Sequence, residues 1–380
     1  MRHGRAIALT LGALISVGTA TADAATRYQF KFTGRGFGHG VGMSQYGAQG
    51  AALAGMKAEK IIGMYFPGTA LQKLPTTTVR VLLGTSIASR SLTASGQWTL
   101  TNRLGQTRTM PTGAITVTVI DGTTMVFKDS TGKIVFRAGG LVTAQPVGSS
   151  ILAIGAKRYR GALRLTPANN RFSVINVVDL EKYLPGVVPL EMPASWAPQA
   201  LRAQVIAARS YAMATKRTGE FDMYADERSQ MYGGVNAEDS RTNAAVATSV
   251  GLVATYGGRV ATTFFSSTSG GVTESAQSVF GNAVPYLVSI SDEKYDAISP
   301  RHIWGKYDQK VLKDWQISRA LGLPRPVLAM RVVSRSPAGR ALKVRVVQTD
   351  GKVSYFTGST FRWKFGLSST WFYQSRSIVS

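Results

Sequence analysis

Glu191 is a lone carboxylate flanked on each side by a proline. It lies in VVPLEMPASWAPQALRAQVIAARSYAMAT (Val187–Thr215), between Pro189 and Pro193. A proline ring pushes the preceding residue out of the helical region. Val188 and Met192 both precede a proline, so the spacing predicts a stiffened bend at Glu191 and not a helix. Its neighbours in sequence are Val187, Val188, Leu190, Met192 and Trp196. An apolar setting disfavours the charged form of a carboxyl and raises its pKa. A glutamic acid so placed stays protonated near neutral pH and can donate a proton. The competing reading is a solvated loop glutamate. A helix must follow to position what stands opposite. Ser195 reads as its N-cap, Pro198 falls in its first turn, and alanine-rich sequence runs to Lys216 with Gly219 as a stop signal. Gln204 and Tyr211, seven residues apart, project from nearly one face, and Arg209 projects elsewhere.

A second block, GRGFGHGVGMSQYGAQGAALAG (Gly34–Gly55), alternates glycine with Arg35, Phe37, His39 and Val41. As a strand it would have one bare face, open to close approach by another strand or a ligand. It lacks the spacing of a dinucleotide fingerprint and has no phosphate-loop lysine. Ser44–Leu53 and Ala58–Phe66 read as short helices, and Gln45 and Tyr46 are candidates to face a groove. MYFPGT (Met64–Thr69), QMYGGVNAEDSRTNAAV (Gln230–Val246) and TTFFSSTSGGVTES (Thr262–Ser275) complete the set. Together these blocks, with LEKYLPG leading into the Glu191 segment, resemble the hallmarks of the SpoIID/LytB family. The resemblance implies a lytic transglycosylase cutting peptidoglycan glycan strands, with Glu191 as acid/base. It places an arginine at Arg209, a candidate to bind substrate; an ion pair with a nearby carboxylate is the alternative. Gln204, Tyr211, His39, Ser44, Gln45, Tyr46, Tyr232, Ser267, Ser269 and Glu274 are the further candidates to hold the sugar strand. Asp179 and Glu181 read as surface or capping residues. His302 and Trp304 in SPRHIWGKYD are a further polar and aromatic pair, the tryptophan suited to stacking on a sugar or to burial.

The chain departs from the family in two ways. Zinc-binding relatives carry cysteines before the QMYGG-type motif, but FDMYADERSQMY (Phe221–Tyr232) has neither cysteine nor histidine. No metal and no other cofactor are therefore expected. In the sporulation protein the GHGVGMSQYG block follows the EMP block, whereas here it precedes it. This order resembles a circular permutation. It implies that Gly34–Gly55 packs with the C-terminal half, with residues 76–168 inserted or appended. That region holds short β-branched runs at Thr77–Leu83, Trp98–Thr101, Ile115–Ile120, Thr124–Phe127 and Ile134–Phe136, separated by Asp121-Gly122 and Thr131-Gly132 turns. Beyond the EMP block, Asn243–Ala254 reads as a helix, Val260–Phe265 as a strand, and Met330–Phe372 as strands.

The expected fold is α+β and rich in β structure. A SpoIID-like catalytic domain with a glycan groove would comprise residues 25–75 and 169–380, with a small β domain at 76–168. Residues 1–24 read as a secretory signal: Arg2 and Arg5, an apolar Ala6–Val17, and Ala22-Asp23-Ala24 as the cleavage site. The apolar run is shorter than the ~20 residues of a membrane span. The chain of 380 residues has no cysteine and a formal charge of +24. An exported, cell-envelope protein of this charge is drawn to anionic wall polymers. Nucleic acid is the rival polyanion, but the cations are scattered and no recognition helix or RNP-like pattern is present. Most glycosidases need two carboxylates about 5–10 Å apart, and the sequence offers one convincing candidate. A transglycosylase needs only one, because the muramoyl C6 hydroxyl is the nucleophile. The alternative function is a non-catalytic, wall-binding modifier of an amidase, which would make a wall amidase a partner.

Overall fold

The computed structural model describes residues 27–306 and 309–379; the expected secretory signal lies outside them. The fold is α+β and rich in strands. At its centre the strand Arg171–Asp179 pairs antiparallel with Ala162–Ala168 on one side and Thr78–Ile87 on the other. The seven-stranded sheet built on these continues through Val142–Pro146, Trp98–Asn102 and Thr107–Met110, with Met223–Tyr224 at its other edge. A six-stranded sheet runs from Ile134–Gly139 through Thr124–Lys128, Ile115–Ile120, Ser89–Ala94 and Leu152–Ile154 to Lys157–Tyr159. Strand periodicity explains the packing. Ile115, Val117 and Val119 are inward while Thr116, Thr118 and Ile120 are not, the alternation of a half-buried strand. Asp121 and Gly122 both take positive φ, 49° and 75°, in the tight hairpin loop between the paired residues Ile120 and Thr124.

Both sheets contribute to one apolar core, and that core does not stop at residue 168. Leu92, Phe127, Trp98 and Leu163 share it with Leu180, Tyr183, Val187, Val188, Met192, Leu201 and Val205. The 168/169 boundary falls in the hairpin turn at Asn169-Asn170, between strands paired along seven positions. The β-rich segment is thus joined to the Glu191 region by a common sheet and a common interior.

The long helix Pro198–Ala214 has two buried sides. Leu201, Val205 and Ala208 enter the β core. Ala203, Ile206 and Ala207 enter a second core with Val41, Met43, Ala48, Ile61, Ile62 and Phe66. Its alanines let elements approach on both sides. A third core gathers Phe30, Phe32, Phe361, Phe365 and Phe372. There Tyr28–Arg35 pairs with Phe372–Ile378, Lys310–Lys313 and Ile303–Trp304, so the N-terminal block packs with the C-terminal half.

Several local expectations are corrected. Past Arg35 the glycine-rich block leaves the sheet: Gly36, Gly38, Gly40 and Gly42 all have positive φ, a looped path instead of a strand. The helix expected from Asn243 begins at Ser240, capped by Asp239, and ends at Ala247; Leu252–Tyr256 is a strand. Val260–Phe265 is a strand only at its ends. In the tail, Gly358–Phe365 is a helix, not a strand. Thr357 caps it, Gly366 ends it at φ 61°, and Phe361 and Phe365 share its buried side.

Arg209 is sealed inside the long helix's packing. Its Nε and Nη2 donate to the two Glu181 carboxylate oxygens at 2.8 and 2.7 Å, and Nη1 donates to the Leu252 carbonyl at 3.1 Å. Glu181 also accepts from the Gly251 N–H at 3.2 Å. Removing one partner of a buried pair leaves an uncompensated charge and costs about 3–5 kcal/mol. Arg209→Ala should therefore lose stability of that order in urea denaturation. A variant as stable as the parent would overturn the structural role.

Candidate active site

Glu191 ends a one-turn helix, Val188–Glu191, entered through a 3₁₀ turn at Leu184–Gly186. This corrects the expected bend. Pro189 sits in the first turn, where its missing N–H leaves no bond unmade, so Val188 is helical despite preceding a proline. The second proline acts as expected: Met192 is extended at φ −140° and ψ 130°. The helix that follows starts two residues later than Ser195 suggested, with Ala197 as N-cap. Ala197 has no capping side chain, and its own N–H donates to Gln49 Oε1 at 2.9 Å.

The Glu191 side chain enters a cleft of about 430 Å³. One wall is the glycine-rich block, through Phe37, His39 and Gln45. Tyr211 of the long helix and Phe264–Ser267 form another, and the loop carrying Glu227, Ser229 and Met231 a third. Burial raises the Glu191 carboxyl above the ordinary glutamate value, and the Met231 N–H acts in the opposite direction. That N–H donates to Oε1 at 2.8 Å. Oε2 has no hydrogen-bond partner among the described residues. The carboxyl is thus held by one oxygen and carries its proton best on the other.

His39 is set as a neutral group. Its Nδ1 accepts the Val41 N–H at 3.0 Å, which leaves the ring proton on Nε2. Burial, then the Arg362 and Arg340 guanidinium groups, push it down to about 4. Tyr211 is also raised by burial, and its ring meets Phe264 edge-on at 5.7 Å. The arrangement offers one carboxyl shifted toward its acid form, neutral donors at His39, Tyr211, Gln45 and Ser267, and aromatic rings at Phe37, Phe264 and Phe280.

Of the residues singled out in the sequence, His39, Gln45, Tyr211 and Ser267 line this cleft with Glu191. The others stand behind it or apart. Gln204 is fully buried and accepts from the Gln45 amide at 3.5 Å. Tyr46 packs edge-on against Trp196 at 4.7 Å. Tyr232 is buried against Tyr183, with its hydroxyl donating to Asn176 Oδ1 at 2.8 Å. Arg209 is enclosed with Glu181, and Asp179 caps the turn that follows it. Glu274 is buried, accepting from the Ser275 N–H at 2.8 Å and from the Ser336 hydroxyl. Trp304 is buried in the third core beneath Gly34.

Ser44 and Ser269 belong to a buried clamp. Ser44 caps the helix Gln45–Leu53 and donates to Asp296 Oδ1 at 2.6 Å. Asp296 also accepts from Thr268 Oγ1 at 2.6 Å and the Gly270 N–H at 3.0 Å, and His302 Nδ1 lies 2.9 Å away. Ser269 donates to Asp292 Oδ1 at 2.6 Å, and Tyr65 donates to Oδ2 at 2.7 Å. Burial, then the nearby Asp296 charge, raises Asp292 to about 6.

Reading by sequence passed over Glu227, Ser229, Met231, Phe264 and Phe280 as lining residues. The QMYGG and TTFFSSTSGG blocks marked the vicinity, but not which of their members turn inward. Glu227 is the other carboxylate of this cleft among the described residues.

Residues 168–256 match the family model described as Stage II sporulation protein, SpoIID. An uncharacterized protein of Brachyspira hyodysenteriae is 40% identical over 133 residues, covering 34% of this chain and 36% of the relative. A Bacillus subtilis protein named amidase enhancer is 43% identical over 111 residues, covering 29% and 15%. The Stage II sporulation protein D of Bacillus subtilis is 32% identical over 143 residues, covering 33% and 41%. The chain thus spans well under half the length of these curated relatives. The match runs through the Glu191 segment, the long helix and the loop at the cleft wall, and over these residues the chain is similar to the SpoIID family.

Proposed function

We propose that this protein is an exported lytic transglycosylase that cleaves peptidoglycan glycan strands between N-acetylmuramic acid and N-acetylglucosamine. The observation that carries the reading is Glu191: a carboxyl raised by burial, anchored through one oxygen, in a cleft lined by polar and aromatic residues. In its protonated form Glu191 gives its proton to the glycosidic oxygen as the bond breaks. The resulting carboxylate takes the proton of the C6 hydroxyl as that oxygen closes on the anomeric carbon. The product ends in a 1,6-anhydro sugar. An internal nucleophile has a high effective concentration, so no second carboxylate is needed. The neutral donors His39, Tyr211 and Gln45 orient the sugar without competing for the proton. The charge of +24 supports retention among anionic wall polymers. No helix of the described residues is long and apolar enough to cross a membrane.

A second reading has its own support: a relative is named amidase enhancer. In that reading the cleft binds strands without cutting them, and the partner is a wall amidase.

Glu191→Gln keeps size and the Met231 contact but has no proton to give. Its cleavage rate on purified glycan strands should fall by about 10²–10⁴-fold, with strand binding retained. Mass spectrometry of the parent's products should find 1,6-anhydro ends. A glutamine variant as fast as the parent removes Glu191 from the chemistry. Reducing ends would mean a hydrolase, with Glu227 in the same cleft as the second carboxylate to test. Wall binding without cleavage by either protein would favour the amidase reading.

The raised pKa has a stability consequence of definite sign. Between the unfolded and folded values the native state holds the extra proton, so stability falls as pH rises through that window. Activity should also fall as pH rises through the folded value, because the acid form is lost. Glu191→Gln should remove this slope and match or exceed the parent's melting temperature at neutral pH. A variant that melts well below the parent there would contradict the assignment.

Activity should survive exhaustive chelation. His39, the cleft's histidine, already uses Nδ1 on the Val41 N–H, and the chain has no cysteine. Loss of cleavage restored by zinc would overturn this expectation.

A further inference from the structure

His39 borders two cavities. Besides the Glu191 cleft it lines a second pocket of about 370 Å³, with Glu274, Ser278, Arg340, Ser359 and Arg362 among the other walls. Arg340 is 1% exposed, and only its Nη2 is bonded, donating to the Ser269 carbonyl at 2.7 Å. Its Nε and Nη1 are buried without a hydrogen-bond partner. A buried, unpaired donor is costly, and here the group is a cation with no carboxylate within ion-pair distance among the described residues. The glycine-rich block makes its seat: a Cβ at Gly40 would run into the guanidinium group.

Arg362 is half-buried on the same pocket, and its guanidinium has no hydrogen bond or ion pair among the described residues; it lies over Trp363 at 4.9 Å. Gly358 and Ser359 begin the helix Gly358–Phe365 at the pocket wall. Their N–H groups are among those a helix leaves without an internal acceptor. Two guanidinium groups face one carboxylate, Glu274, so the pocket carries one positive charge in excess. That charge suits a monoanion. A dianionic phosphate would be repelled by Glu274, whereas a carboxylate has the planar geometry a guanidinium fork accepts.

We propose that this pocket binds a carboxylate carried by the glycan strand whose sugar backbone occupies the Glu191 cleft. The inference rests on the strand-cleaving reading for the identity of the ligand. The carboxylate has two sources: the free lactyl group of a muramoyl residue, or a stem peptide. His39 is the shared wall, so an appendage leaving the strand beside Glu191 passes it to reach Arg362.

The test measures binding by the parent and by Arg362→Gln, each in the Glu191→Gln background to prevent turnover. The probes are N-acetylmuramic acid, glycan strands without stem peptides, and strands bearing them, each compared with its carboxyl-amidated form. Amidation should weaken binding to the parent by about tenfold or more for at least one probe, and Arg362→Gln should bind both forms alike. Thermal melting confirms that Arg362→Gln is folded, and Arg362→Lys should restore part of the preference. A preference on stem-free strands identifies the lactyl group, and one confined to peptide-bearing strands identifies the peptide. If amidation leaves all three affinities unchanged, or weakens Arg362→Gln as much as the parent, the proposal fails. Because the readout is binding, absent cleavage sinks the enzymatic reading alone. Intact cleavage without a carboxylate preference sinks the pocket alone.

Discussion

Asp296 holds the cleft together. It is fully buried, and it gathers Ser44 from the glycine-rich block, Thr268 and Gly270 from the hydroxyl-rich turn, and the His302 ring. A buried carboxylate must be satisfied on both oxygens, so each of these segments is fixed at hydrogen-bond distance from one point. Ser44 in turn starts the helix that carries Gln45, and Thr268 adjoins Ser267. Two cleft walls are therefore registered against each other by a group that never meets the cleft. Asp292 beside it repeats the device with Ser269 and Tyr65.

The long helix supplies the complementary constraint. Its two buried sides make it a partition between the β core and the second core. Tyr211 reaches the cleft from this partition, and Glu191 reaches it from the turn just before. The turn is seated in the β core and the helix in both cores, and protein interiors pack as densely as crystals of small molecules. That rigidity suits a site relying on one positioned carboxyl. It also explains why the region before residue 169 does more than hang from the rest: its strands complete the sheet on which the Glu191 turn is built.

Much of the scaffold was legible because its signals are local. The short helix near Ser44–Leu53, the Asp121-Gly122 turn and the β-branched run Ile115–Ile120 depend on residues a few positions apart. Glu191 was legible through its prolines and its resemblance, although its bend proved to be a helical turn. What the sequence hid is direction. Ser267 faces the cleft and Ser269 faces Asp292, yet both are serines in one hydroxyl-rich run. Arg209 and Arg340 are both buried arginines, but one is met by Glu181 and the other by no carboxylate. Such differences are decided by partners far away in the chain. The helix at Gly358–Phe365 was missed for a related reason: a run read as strand was bounded by a cap at Thr357 and a left-handed Gly366 that only the tertiary path makes plain.

The donor that restrains Glu191 is a main-chain amide, that of Met231. Every non-proline residue carries the same group, so the contact is indifferent to which side chain stands at this position. Burial sets the direction in which the Glu191 carboxyl is shifted, and the path of the loop sets the contact that opposes it. Natural variants could exchange the side chain there and keep this contact, while changing the burial that raises the acid. An insertion or deletion of a single residue between Tyr224 and Gly233 would retune it at once. Divergence in working pH among related chains should accordingly be sought in the length of this loop as well as in the side chains that bury the carboxyl.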